Sequence, residues 1–355
     1  MWSRPTGKGD NSNNNHKIKE MKYYTINEPV SVYLDNQKIR AAHSEKNNEY
    51  FLTPDAVERE LDSEDYVDVF RGKNVYVPCH KYSDIACRNA LRTYFLTNFE
   101  RLGLNSLITS EYTYDDCIVT EVNKGKFGIT KNSFKMEFDN DEERLGSVEY
   151  ILNFVDIVVA NPRGTIFCKF FDHVMNSGCD YILWGNQLKI TNRNAASAFF
   201  NGKLRHGKTS NKAIPHFNGS EDFIKRMNAT CVYTNLNVCQ EKIVTPTKTT
   251  AELLAKGLIK KYDNINIVNV NRVEDIPCDY FEPIGVPISA IGCMDWSKFK
   301  VLGIFNGWDT CDFENGLISG EIRSTVSPSG ARVLTSGPVL NGIAIFARLI
   351  LQRIA

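Results

Sequence analysis

The sequence has no apolar run approaching the roughly 18 residues needed to cross a bilayer. Its opening, MWSRPTGKGDNSNNNHKIKE, also lacks the apolar core of a secretory leader. A soluble, cytoplasmic protein is therefore expected, with no membrane partner. None of its 10 cysteines forms a CxxC pair or falls with histidine at zinc-finger spacing. The cysteines read as reduced, mostly buried thiols, and no metal centre is expected. There is no P-loop and no Ser-His-Asp arrangement. An excess of one charge sign is missing too: 42 Lys and Arg balance 42 Asp and Glu. No overall field draws the chain to nucleic acid, so any such surface must come from local clustering.

What is present is enough apolar material for a large core. The chain has 355 residues, of which 42% are hydrophobic, which suits one large domain or two modest ones. Residues 1–22, rich in Asn, Lys and Gly, cannot bury apolar surface and are expected to form a disordered arm. Beyond them, strand-like and helix-like segments alternate. NVYVPC (Asn74–Cys79), Ser106–Ser110, VDIVVA (Val155–Ala160) and YILW (Tyr181–Trp184) read as strands. Ala86–Leu102 and Thr165–Met175 read as helices. This alternation predicts an α/β fold with a mostly parallel sheet covered on both faces. Such sheets bind ligands beyond the carboxyl ends of their strands. Pro78–His80, Ser110–Tyr112, Asn161–Gly164 and Gly185–Asn186 are then candidates by position. The expected division is a domain over 23–230 and an extension over 231–355. In the extension, NGW (Asn306–Trp308) and SPSG (Ser327–Gly330) read as turns, and the ending IAIFARLILQRI fits either a strand pair or a terminal helix.

Between Gly185 and Thr230 lie Lys189, Arg193, Lys203, Arg205, Lys208, Lys212, Lys225 and Arg226, against only Glu221 and Asp222. That excess suits phosphate contacts, and it equally suits a solvated loop.

The segment DIVVANPRGTIFCKFF (Asp156–Phe171) carries the chemistry. A buried strand ends in Asn-Pro and a helix follows. Amino-methylating enzymes hold a tetrapeptide Asn/Asp-Pro-Pro-aromatic at this place. An adenine amine is a poor nucleophile because its lone pair is delocalised into the ring. An Asn side-chain oxygen and a Pro carbonyl can accept its two N–H bonds and return density to nitrogen. The aromatic stacks on the flipped base, worth about 1–3 kcal/mol.

Together with its surroundings, this segment resembles the EcoRI-type adenine-specific DNA methyltransferases. NNEYFLTPDAVEREL (Asn47–Leu61) is similar to that family's entry motif, and NVYVPC to its first strand with a Cys-containing turn. YFLTNFERLGLNSLITSEY (Tyr94–Tyr112) resembles its first helix and second strand, and YILWGNQLKIT (Tyr181–Thr191) its strand ending in Gly-Asn. VYTNL (Val232–Leu236), Lys260–Ser289 and FKVLGIFNG (Phe299–Gly307) are similar to its later landmarks.

The resemblance implies a class I, Rossmann-like methyltransferase fold that uses S-adenosylmethionine to methylate a flipped adenine in duplex DNA. It also implies a C-terminal extension for target recognition and a cognate restriction endonuclease as partner. Carried over by position, Tyr50, Phe51, Thr53, Pro78, Cys79 and Asp84 would flank the cofactor. Glu111 would accept its ribose hydroxyls, since two carboxylate oxygens suit a diol. Glu137 and Phe138 resemble the pair beside its adenine. Asn161 and Pro162 would hold the target amine, with Arg163 beside them, and Lys189, Arg193, Lys203, Arg205, Lys208 and Lys212 would meet DNA.

Two departures stand out. The tetrapeptide reads Asn161-Pro162-Arg163-Gly164, so the stacking ring is gone. Arg163 can replace it by stacking its planar guanidinium, or can block the pocket. Phe167, about one helical turn on, is expected to pack inward. The turn after the first strand, CHKYSDIACRN, has no glycine for close backbone approach. Three functions compete: an active adenine methyltransferase, favoured by the intact Asn-Pro; a protein that binds cofactor or nucleic acid without methylating, favoured by Arg-Gly; and a methyltransferase of RNA or protein.

Overall fold

The computed structural model describes residues 23–24, 50–80, 90–112, 116–125, 128–137, 141–162, 166–209, 214–218, 221–227, 230–239 and 243–354. Up to residue 234 the described strands are β1 (Tyr23–Tyr24), β2 (Tyr50–Leu52), β3 (Asn74–His80), β4 (Ser106–Tyr112), β5 (Asp116–Gly125), β6 (Gly128–Glu137), β7 (Ile157–Ala160), β8 (Asp180–Asn186), β9 (Arg205–His206), β10 (Ile214–Asn218), β11 (Glu221–Met227) and β12 (Thr230–Thr234). The helices are α1 (Pro54–Leu61), α2 (Glu64–Val67), α3 (Ala90–Thr97), α4 (Asp141–Leu152), α5 (Phe167–Ser177) and α6 (Arg193–Phe200).

Nine strands form one sheet in the order β1-β6-β5-β4-β3-β7-β8-β12-β9. Its centre is read most directly from the sequence. In β7, all four residues of IVVA are buried. Ile157 and Val159 enter one apolar cluster, while Val158 and Ala160 enter the other. Neighbouring β8 divides likewise, Tyr181 and Leu183 against Ile182 and Trp184. A period of two with apolar residues at both phases requires cover on both faces. On one face, α4, α5 and α6 supply it through Ile151, Phe170, Phe171 and Ala196. On the other, α1 and α3 supply it through Val57, Leu61, Leu91 and Phe95. Fully burying each Val or Ile is worth about 1.5–3 kcal/mol, which fixes which residues stand at the strand ends.

Within this sheet, among the described residues, parallel pairing is confined to the central strands β4-β3-β7-β8. The pairings of β1, β5, β6, β9 and β12 are antiparallel. The sheet is thus mixed rather than mostly parallel. On the β4 side, β4, β5 and β6 follow one another with only three and two residues between them, too few for a crossover, so each pairs antiparallel with the one before.

A three-stranded sheet, β11-β10-β2, stands apart from the large one. After β12 comes the helix α7 (Thr250–Ala255), whose start is fixed by a reciprocal cap between Thr249 and Glu252. Beyond it are a six-stranded sheet and a four-stranded one. The apolar ending resolves into strands, Ile343–Ala344 and Arg348–Arg353. SPSG turns a hairpin between Arg323–Val326 and Arg332–Thr335. The six-stranded sheet shares the apolar cluster on the α5 and α6 face, through Ile284, Ile304 and Leu349 among others. Arg193 on α6 also donates to Thr310 Oγ1 at 3.0 Å. Among the described residues, no helix is long and apolar enough to cross a membrane.

Candidate active site at the carboxyl edge of the large sheet

Three sequence-predicted residues stand in one row at the carboxyl edge. Parallel pairing of β3 with β4 sets Pro78 against Ser110 and Cys79 against Glu111. On the other flank of β3, Val75 pairs with Ile157 and Tyr76 with Val158. The same register carried forward brings Asn161, the first residue after β7, level with Cys79. From β3 the chain goes to β4 on one side and later returns to β7 on the other. The gap between β3 and β7 is therefore the topological switch point, where open sheets form their ligand crevice. Glu137, the last residue of β6, reaches the same edge, since it pairs with Asp116 just after the end of β4. Asp84, Phe138, Arg163 and Lys212 lie outside the described residues.

Asn161 and Pro162 are half-buried, in contrast to the wholly buried strand before them. That position suits a group that must be held firmly and yet meet a ligand. Phe167 packs inward, as expected. It is buried, stacks on Phe171 at 6.1 Å, and lies 5.6 Å from the Tyr233 ring. Its ring covers Gly185, where a β-carbon would collide with it. It is not available to a flipped base. Tyr233 donates to the Asn186 carbonyl at 2.9 Å, tying β12 to the end of β8.

The entry segment is built around α1. Thr53 is its N-cap, with the side chain accepting from Ala56 N at 3.3 Å, and Pro54 fills the first helical position. Its hydroxyl thus fixes where α1 begins. Just before it, Tyr50 and Phe51 pair with Asn218 and Phe217 of β10.

At the C-terminal end of α1 the sequence reading missed a residue. Glu60 is fully buried. Its Oε1 accepts from Tyr66 Oη at 2.7 Å and from Lys208 N at 2.8 Å. Its Oε2 accepts from Thr209 N at 2.8 Å and from Thr209 Oγ1. Burial and the neighbouring Glu60 carboxylate push the Tyr66 hydroxyl well above its usual range. Gly207 permits this approach, because a β-carbon there would run into Glu60 Oε1 and Val232. A signal existed in the sequence: Glu60 falls three and four residues after Val57 and Ala56, on the apolar face of α1.

The basic stretch is distributed rather than gathered. Lys203, Arg205 and Lys208 lie around β9, with Lys203 and Arg205 exposed and Lys208 half-buried. Arg205 donates to Asn237 Oδ1 at 2.7 Å. Arg193 opens α6, whose eight residues span about 12 Å at 1.5 Å per residue. Lys189 is half-buried in the turn of 3-10 helix Gln187–Thr191. A polar groove of about 250 Å³ between α5 and α6 is lined by Asp172, Asn194 and Lys203 among others. Beside Lys208, His206 is buried, with neither ring nitrogen hydrogen-bonded among the described residues, and burial holds its pKa down to about 3. Burial likewise pushes the Cys231 thiol up to about 12, which makes it a packing residue rather than a nucleophile.

A sequence profile of the family described as adenine-specific methyltransferase EcoRI matches residues 38–353. This chain belongs to that family. Among curated relatives, the chain is 25% identical over 296 residues to the Type II methyltransferase M.MgeORF184P of Mycoplasma genitalium, covering 76% of this chain and 87% of that one. It is 25% identical over 307 residues to the Type II methyltransferase M.EcoRI of Escherichia coli, covering 78% and 92%. The Type II methyltransferase M.MpnI of Mycoplasma pneumoniae is 22% identical over 299 residues. No solved structure matches the chain.

Proposed function

We propose that this protein transfers a methyl group from S-adenosylmethionine to the exocyclic amine of an adenine flipped out of duplex DNA. One observation carries the reading: in a member of the EcoRI methyltransferase family, a fully buried strand delivers half-buried Asn161-Pro162 to the sheet's switch point, level with Cys79 and Glu111. When bound, S-adenosylmethionine supplies an electrophilic methyl on its sulfonium. Pro78 and Cys79 end the strand beside it, Glu111 accepts its ribose hydroxyls, and Tyr50, Phe51, Asp84, Glu137 and Phe138 flank it. Thr53 serves through its cap, by holding the entry turn. Asn161 Oδ1 and the Pro162 carbonyl each accept an amine hydrogen, which localises the lone pair for attack.

Lys189, Arg193, Lys203, Arg205, Lys208 and Lys212 offer phosphate contacts, which position a duplex without reading its sequence. The sheets after β12 serve target recognition, and the large sheet with its helices forms a Rossmann-like catalytic unit. The partners are duplex DNA and a cognate restriction endonuclease, in the cytoplasm of a bacterial or phage-infected cell.

Arg163-Gly164 favours a second reading, in which cofactor and DNA bind without methyl transfer. Incubating the full chain with labelled S-adenosylmethionine and mixed-sequence duplex DNA separates the two. Incorporation that is abolished in Asn161→Ala is the expected result. Cofactor binding by calorimetry without incorporation selects the second reading, and neither signal refutes both.

A further inference from the structure

We propose that Glu60 is a positioning residue: its carboxylate fastens the Gly207–Thr209 loop, and with it the β10–β11 hairpin, to the helix that leads out of β2. The clamp itself rests on geometry alone; its consequence for substrate binding rests on the methyltransferase reading.

A carboxylate is acceptor-only, and here every donor comes from elsewhere in the chain. Two of them are successive backbone N–H groups, of Lys208 and Thr209, one on each oxygen. The Thr209 hydroxyl and the Tyr66 hydroxyl complete the set. Charge-assisted bonds to backbone N–H groups are among the stronger and more directional ones available. Side-chain packing could hold a loop against a helix, but it would not dictate the orientation of two adjacent peptide units. Gly207 adds a second, independent observation, because only a residue without a β-carbon lets the loop come this close.

The consequence lies in what the loop is joined to. Five positions after Thr209, at Ile214, the chain enters β10, which pairs with β2 in the register His216↔Leu52, Phe217↔Phe51 and Asn218↔Tyr50. β10 also pairs with β11, setting His216 against Lys225 and Pro215 against Arg226. From β2 the chain passes through the Thr53 cap into α1 and so back to Glu60. The circuit closes on itself. It joins the entry strand proposed to flank the cofactor to the hairpin bearing part of the basic stretch. This small sheet shares no ladder with the large one. With the packing of Val57 and Leu61 on the large sheet, the Glu60 clamp ties the entry helix to the chain leaving β9 and so adds to what holds both beside the row of Cys79, Glu111 and Asn161.

The test uses the full chain carrying Glu60→Gln, whose amide nitrogen would face donors instead of accepting from them. In hydrogen exchange, protection at Tyr50–Leu52 and Ile214–Asn218 is expected to fall at least tenfold, while Ile157–Ala160 and Tyr181–Trp184 keep theirs. In methyl transfer, KM for duplex DNA and for S-adenosylmethionine is expected to rise tenfold or more, with kcat within threefold of wild type. Thr209→Val, which removes one of the four donors, should move the same quantities less and provides the readout if Glu60→Gln does not fold. Even loss of protection across both sheets, or KM and local protection within twofold of wild type, overturns the proposal. A wild-type protein without methyl transfer counts against the methyltransferase reading instead, and the exchange pattern then decides the clamp by itself.

Discussion

Acid should weaken this protein through one side chain in particular. The imidazole of His206 is 3% exposed, edge-on to Tyr233 at 5.4 Å, with no hydrogen bond at either nitrogen among the described residues. Burial in these surroundings disfavours the imidazolium, so the folded pKa is about 3 against an ordinary 6.5. Between those two values the unfolded chain takes up a proton that the folded one refuses. Stability is therefore complete above pH 6.5 and falls as pH drops below it, by about 1.4 kcal/mol per pH unit. From pH 6.5 to pH 5 the loss is about 2 kcal/mol, a large part of a typical 5–15 kcal/mol total. His206→Leu removes both the titration and two unpartnered nitrogens in a side chain of similar bulk. Urea unfolding followed by circular dichroism at pH 5, 6, 7 and 8 measures the effect. The variant should match or exceed wild type at pH 8, and its advantage should grow by about 2 kcal/mol at pH 5. Carboxylates elsewhere titrate in both proteins and cancel in the difference. Two curves that fall in parallel would refute the reasoning.

Other perturbations act nearer the proposed chemistry. Gly185→Ala drives a methyl into the Phe167 ring and should cost about 1–3 kcal/mol of stability, read from the urea midpoint at constant slope. Arg163→Pro combined with Gly164→Phe restores the stacking ring of the family tetrapeptide. It should lower KM for duplex DNA about ten- to a hundredfold, the equivalent of about 1–3 kcal/mol of stacking, with an unchanged KM expected if Arg163 already supplies the stack.

The central strands were readable because both of their faces are covered. VYV, LIT, IVVA and ILW are apolar at both phases of the strand period, and each lies where expected within one or two residues. The hairpin β5–β6 escaped because DCIVTEVNKG and GITKNSFKME mix apolar with charged and polar residues, which blurs a strand into a loop. That hairpin is also why the sheet is less parallel than the alternation implied. Beyond β12, many strands have only two to four residues, and their partners are remote in sequence. Ile284–Pro287, for example, pairs with Arg348–Arg353. No local periodicity encodes such pairing; it is chosen by the core that Ile284, Val286, Leu349 and Leu351 build together.

The candidate site divides along the same line. Residues brought to the edge by strand ends, such as Asn161 and Glu111, can be found from sequence, because a buried run terminates visibly and the next residue must emerge. Residues whose role is to accept backbone N–H groups from a distant loop cannot be found that way, since the loop leaves no mark in the helix it touches. Glu60 and Lys208 are separated by 148 positions. The trace they leave is indirect: a carboxylate on an apolar helical face and a glycine where a loop must approach. A buried acid of that kind is costly unless it is fully hydrogen-bonded, so its presence on a core face already implies unseen donors. The Glu60 carboxylate, Gly207 and the two peptide N–H groups are best understood as one feature. Each is unfavourable or uninformative alone, and together they fix the entry helix against the basic segment at the distance the fold requires.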